Sequence, residues 1–114
     1  MTLRQKQSLF VRLVAKLIDH AYALGYELTF AEAYRTPEQA RLNATSGKGI
    51  ANSLHTERLA IDLNLFRDGK YLTATEDHRP LGEWWERQHP LCRWGGRFKK
   101  PDGNHYSIEH GGRK

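Results

Sequence analysis

Ser53-Leu54-His55-Thr56-Glu57-Arg58-Leu59-Ala60-Ile61-Asp62-Leu63-Asn64-Leu65-Phe66 is the stretch on which the rest of this chain is organised. Leu59, Ile61, Leu63 and Leu65 alternate with Ala60, Asp62 and Asn64. A period of two predicts a β-strand with one buried face, so Asp62 lies on the face opposite the leucines. His55 precedes the strand, in the segment that enters it. Seven residues separate His55 and Asp62, too far for a shared strand face, but a turn between them lets the two converge. An imidazole and a carboxylate meeting beside a buried sheet supply two thirds of a zinc site.

The third ligand has to come from another part of the chain. The segment Pro101-Asp102-Gly103-Asn104-His105 places a carboxylate three residues before a histidine. One of the two can bind a metal while the other stands beside it as a base. His55, Asp62 and His105 then offer two nitrogens and one oxygen, the three protein ligands typical of a catalytic zinc with one open position. Asp102 is left as the free carboxylate that takes a proton from the attacking water.

These residues resemble the M15 zinc peptidases, the D-Ala-D-Ala peptidases and phage L-alanyl-D-glutamate endolysins. Their pattern of Ser, His, Ala and Asp appears here as Ser53-x-His55-x-x-Arg58-x-Ala60-x-Asp62, followed by Asp102-x-x-His105. The chain departs from the family at Arg58, where Gly is usual, and at Asp102, where many members have Glu. The Asp form is more similar to the phage endolysin branch, as is the run Leu63-Asn64-Leu65-Phe66. The resemblance implies an α+β fold of the hedgehog/DD-peptidase type, a small antiparallel sheet with flanking helices. It also implies a bound Zn2+ and peptidoglycan stem peptides as substrate. Arg35, in Tyr34-Arg35-Thr36, matches the family arginine that polarises the scissile carbonyl, a role that suits a fixed cation beside a developing oxyanion. Ser53 matches the serine that contacts substrate.

Around this centre the remaining elements can be read in order. Thr2 and Gln5 form a capping box for a helix reaching Leu24, with Leu9, Phe10, Leu13, Val14, Leu17, Ile18 and Ala21 on its apolar face and Gly25 at its end. His20 falls at the polar edge of that helix. Tyr26 to Ala33 predicts a strand with Tyr26, Leu28 and Phe30 on one side. Thr36 and Pro37 open a second helix to about Ala44. The Gly47-Lys48-Gly49 loop that follows lacks the Walker spacing, which excludes a nucleotide phosphate loop. Asp68-Gly69 signals a hairpin. Thr73 to Pro80 is expected to be a polar connection and Leu81 to Gln88 a helix. Of its adjacent tryptophans, Trp84 and Trp85, one is expected in the core and the other at the cleft. Gly95 and Gly96 permit a tight backbone beside the site. His105 to Glu109 is expected as the last strand, with Glu109 a candidate to orient a metal ligand.

With 114 residues the chain is expected to form a single peptidase domain, residues 1–114. The net charge is +5 and the pI about 9.6, which suits an anionic surface such as a bacterial envelope. No dense Lys/Arg run is present and the aromatics lie in apolar patterns, so no nucleic-acid partner is expected. The one cysteine, Cys92, allows no internal disulfide. A non-catalytic wall-binding module with a structural zinc would need four ligands rich in Cys, which this chain lacks. No apolar stretch reaches membrane-span length. The expected protein is a monomeric zinc peptidase cutting the L-alanyl-D-glutamate bond as a phage endolysin, with D-Ala-D-Ala carboxypeptidase as the close alternative. Without a signal peptide at its start, it is expected to be made in a bacterial cytoplasm and to reach the wall through a membrane lesion.

Overall fold

The computed structural model describes residues 1–114. The elements follow the order α1 (Leu3–Ala23), β1 (Glu27–Phe30), α2 (Pro37–Thr45), β2 (Ala60–Arg67), β3 (Lys70–Leu72), α3 (Thr75–Glu86), β4 (Cys92–Trp94) and β5 (His105–Ile108). Short 3₁₀ turns at Leu54–Glu57 and Gly95–Arg97 stand before β2 and after β4. The five strands form one antiparallel sheet in the order β1-β2-β5-β4, with β3 added to β2. This is the α+β architecture expected from the sequence.

β2 is the spine of the sheet. Its first half pairs with β5 and its second half with β1 and β3. Leu59, Ile61, Leu63 and Leu65 are buried while Asp62 and Asn64 are half-buried, as the alternation requires. Helix α1 lays Phe10, Leu13, Val14, Leu17 and Ala21 into the same core as Trp85, Tyr106 and Ile108. Each fully buried leucine among them contributes about 1.5–3 kcal/mol.

Local signals set several boundaries. The Thr2 hydroxyl accepts from Gln5 N while the Gln5 side chain accepts from Thr2 N, a complete capping box. Thr36 caps α2 by accepting from Gln39 N at 3.1 Å. Asp68 and Gly69 both have positive φ, 52° and 75°, as a tight hairpin turn between β2 and β3 demands.

Three expectations change. Helix α3 begins at Thr75 rather than Leu81, and Pro80 lies inside it. The Asp77 carboxylate accepts from Ala74 N, Arg79 pairs with Glu76 and Glu83, and His78 turns inward to Tyr106. These contacts flank Pro80, which removes one main-chain hydrogen bond and crowds the carbonyl four residues before it. Strand β1 spans Glu27–Phe30, shorter at both ends than the expected Tyr26 to Ala33, and Phe30 at its end is 71% exposed. Trp85 is fully buried, its indole donating to the carbonyls of Arg93 and Ser107. Trp84 does not line the cleft; it stacks on His20 of α1 with ring centroids 4.3 Å apart.

His78 makes the fold sensitive to acid. It is buried, with Nδ1 2.9 Å from the Tyr106 hydroxyl. Burial pushes its titration down to about 4 from an ordinary 6.5, against a weak upward pull from Asp77. Below 6.5 the unfolded chain takes up a proton that the folded protein refuses, so stability falls as pH drops toward 4. The expected loss is on the order of 2 kcal/mol. Denaturant titrations of the metal-free protein at pH 7 and pH 4.5 check this: His78→Gln should lose less stability between them than wild type. Equal pH dependence in both proteins would contradict a buried neutral ring.

Candidate metal centre and active site

His55 lies in the 3₁₀ turn before β2, which Ser53 caps by accepting from His55 N at 3.2 Å. The turn ends at Arg58 in the left-handed region, φ 57°. That conformation explains why glycine suits this position in the family. Arginine there costs about 1 kcal/mol of backbone strain. Its guanidinium lies over the Tyr34 ring at 4.0 Å. That contact offsets about 0.5–1 kcal/mol of the cost. The reversal at Arg58 is the turn needed to bring His55 back over Asp62.

Asp62 and His105 are register partners on β2 and β5, so their side chains share one face of the sheet. His55 Nε2 lies 3.3 Å and His105 Nδ1 3.4 Å from the same Asp62 Oδ1. The ligand atoms of the three residues all fall within 4.8 Å of one another. Tetrahedral zinc with bonds of about 2.0–2.1 Å places neighbouring ligand atoms about 3.3 Å apart. Asp62 Oδ1 is buried with no hydrogen-bond donor, a state that costs free energy unless a cation answers it. The three residues therefore fit a zinc ion. Burial pushes the Asp62 carboxyl up, but contacts from His105 and His55 outweigh this and hold it at about 2, ionised and ready to ligate.

Asp102 stands at the rim of this trio. Its amide donates to Gly95 O at 2.9 Å, and its carbonyl accepts from His105 N at 3.1 Å. A Cβ on Gly95 would sit 2.1 Å from Asp102 O and 2.8 Å from His105 Cβ, so only glycine permits this approach. The Trp94 indole donates to Gly103 O at 2.7 Å and pins the same loop. Burial, then the charge of Asp62, raises the Asp102 carboxyl above the ordinary carboxylate range, against the pull of His105, His55 and Arg35. A pocket of about 200 Å3 opens beside Asp102, walled by Asn64, Thr73, Thr75, His78 and Asn104. Its amides and hydroxyls suit peptide carbonyls and carboxylates. A larger apolar groove, lined by Phe10, Val11, Phe30 and Tyr34, includes none of the metal trio.

Arg35 is attached to the same site through the backbone, its amide donating to His55 O at 3.1 Å. The side chain is 13% exposed and pairs with Glu32. Glu32 is the residue that reading the sequence missed. Its Oε1 also lies 3.6 Å from His55 Nδ1. The signal was present as a carboxylate three residues before Arg35, just after β1.

The other candidates lie elsewhere. Glu109 does not orient a ligand: its carboxylate accepts from Gly112 N in the C-terminal turn. His110 contacts Lys6 and bridges to Arg113. Cys92 is buried, and burial pushes its thiol up to about 12, which keeps it inert at neutral pH. No helix is long and apolar enough to cross a membrane.

Comparison with known proteins agrees with this geometry. The M15 peptidase model described as D-alanyl-D-alanine carboxypeptidase matches residues 46–108, more than half of the chain. No curated protein sequence matches significantly. Among solved structures, the Serratia marcescens L-Ala D-Glu endopeptidase ChiX is similar with a TM-score of 0.74 and 18% identity, over 88% of this chain and 77% of that one. A variant of the vancomycin-resistance D,D-pentapeptidase VanY, solved in complex with Zn(II), is similar with a TM-score of 0.60 and 21% identity, over 87% of this chain and 70% of that one. Both are likenesses of fold. The matched segment, Ser46 to Ile108, contains His55, Asp62, Asp102 and His105, and with that match the chain belongs to the M15 family of peptidoglycan-acting zinc metallopeptidases.

Proposed function

We propose that this protein cleaves the L-alanyl-D-glutamate bond of peptidoglycan stem peptides, as an endolysin of phage type. The observation that carries this reading is the shared Asp62 Oδ1 contact of His55 and His105, with Asp102 as a free carboxylate beside them. The choice of bond is supported by the fold likeness to ChiX, which has the higher TM-score of the two structures. It is supported as well by Asp102 itself, the Asp form of the motif. The D-alanyl-D-alanine carboxypeptidase description of the matching family supports the second reading.

His55 Nε2, Asp62 Oδ1 and His105 Nδ1 would hold the zinc. Bound there, a zinc ion acts as a Lewis acid and brings the ionisation of water close to neutral pH. Asp102 takes the proton from the attacking water and returns it to the leaving amine. The Arg35 guanidinium faces the charge that develops on the carbonyl oxygen. Ser53 accepts from His55 N and keeps its own hydroxyl proton to offer the substrate. The polar pocket beside Asp102 seats the neighbouring part of the stem peptide.

Digestion of Gram-negative peptidoglycan, followed by mass spectrometry of the fragments, tests the reading. The expected products carry new amino-terminal D-glutamate and freed L-alanine carboxyl ends, and a chelator stops their release until zinc is restored. Released D-alanine alone would move the protein to the carboxypeptidase reading. A folded, zinc-loaded protein that cuts neither bond would overturn both.

A further inference from the structure

We infer that Glu32 is a positioning residue that holds both His55 and Arg35, one carboxylate tying the metal ligand to the oxyanion-stabilising cation. The inference rests on the reading above, that His55 ligates zinc through Nε2.

A neutral histidine that ligates through Nε2 carries its proton on Nδ1. In this protein His55 Nδ1 is buried and has no hydrogen-bond partner. The group facing it is Glu32 Oε1 at 3.6 Å, an ion-pair distance that a small side-chain rotation shortens to a hydrogen bond. A carboxylate at that nitrogen fixes the tautomer, orients the ring and makes the ligating nitrogen more basic. The same Oε1 pairs with Arg35 Nη2.

The backbone makes this placement firm. Glu32 O accepts from Asp62 N at 2.8 Å, and Ala31 N donates to Asp62 O at 3.0 Å. Glu32 thus sits beside one metal ligand through its main chain and faces a second through its side chain. Its charge also completes a balance: Glu32, Asp62 and Asp102 together offset a divalent ion and the Arg35 guanidinium. The other histidine has no such partner. His105 Nε2 is buried and unpartnered, and the His105 and Phe98 ring centroids lie 5.2 Å apart. The support is therefore specific to His55.

The test is zinc affinity, measured by competition with a chromophoric chelator, for wild type, Glu32→Ala, Glu32→Gln and His55→Ala. Glu32→Ala should weaken zinc binding by about 10–100-fold with the far-ultraviolet circular dichroism unchanged. Glu32→Gln keeps an acceptor oxygen without the charge, so it should recover part of that loss. In the peptidase assay kcat should fall more than KM rises, because Arg35 loses its anchor. If Glu32→Ala fails to fold, the near-isosteric Glu32→Gln decides. Zinc affinities within about twofold of wild type for a folded Glu32 variant, while His55→Ala loses zinc, would overturn the role of Glu32 alone. Undiminished zinc affinity in His55→Ala would instead overturn the ligand assignment on which the inference stands.

Discussion

His55→Ala should strip the protein of its zinc. His55 is 2% exposed and its Nε2 lies 3.3 Å from the Asp62 oxygen, and alanine at this position leaves no donor atom to take the place of the imidazole nitrogen. Losing a ligand costs more than losing a partner of a ligand, so the drop in affinity should exceed the roughly 10–100-fold of such partner mutations. Metal analysis after dialysis checks this, with His110→Ala as the control. His110 sits in the C-terminal turn against Lys6, and its variant should keep one zinc per chain. Peptidase activity of His55→Ala should fall to background. Circular dichroism should remain close to that of metal-free wild type, since the seventeen-residue apolar core does not include His55. Full zinc content in this variant would refute ligation by His55.

The second large effect separates holding the metal from using it. Asp102→Asn should retain zinc and lose turnover by about 10²–10⁴-fold, the usual contribution of a general acid–base group. Asparagine has nearly the shape of aspartate but cannot take a proton. The main-chain bonds of residue 102, to Gly95 O and from His105 N, are untouched by the change. The loss should therefore appear in kcat with little change in KM. Near-normal turnover would remove Asp102 from the proton-transfer role. Loss of zinc along with turnover would make Asp102 a ligand rather than a base.

The members of the metal trio are legible in the sequence because each carries a short-range mark: Asp62 sits within the alternating strand, His55 in the segment that enters it, and His105 follows Asp102 by three. Glu32 carries a weaker mark, its place three residues before Arg35, which by itself does not connect it to His55. Its role arises only where the end of β1 lies beside Asp62 and under the turn that holds His55. Helix α3 starts earlier than its local signals predict for a related reason. Pro80 is a local stop signal, whereas the contacts that extend the helix across it include Tyr106, far along the chain.

The sequence by itself determined the strand Ala60–Arg67, the capped helices, the Asp68-Gly69 hairpin and the identity of the chemical groups. Periodicity, caps and turn residues act over a few residues, so their physics is complete within a short window. Tertiary structure alone decided that Asp62 pairs with His105 across β2 and β5 and that Glu32 joins His55 to Arg35. Those are relations between segments distant in the chain. They are set by strand register and by the burial of charges that must find one another, and neither is encoded in any single stretch.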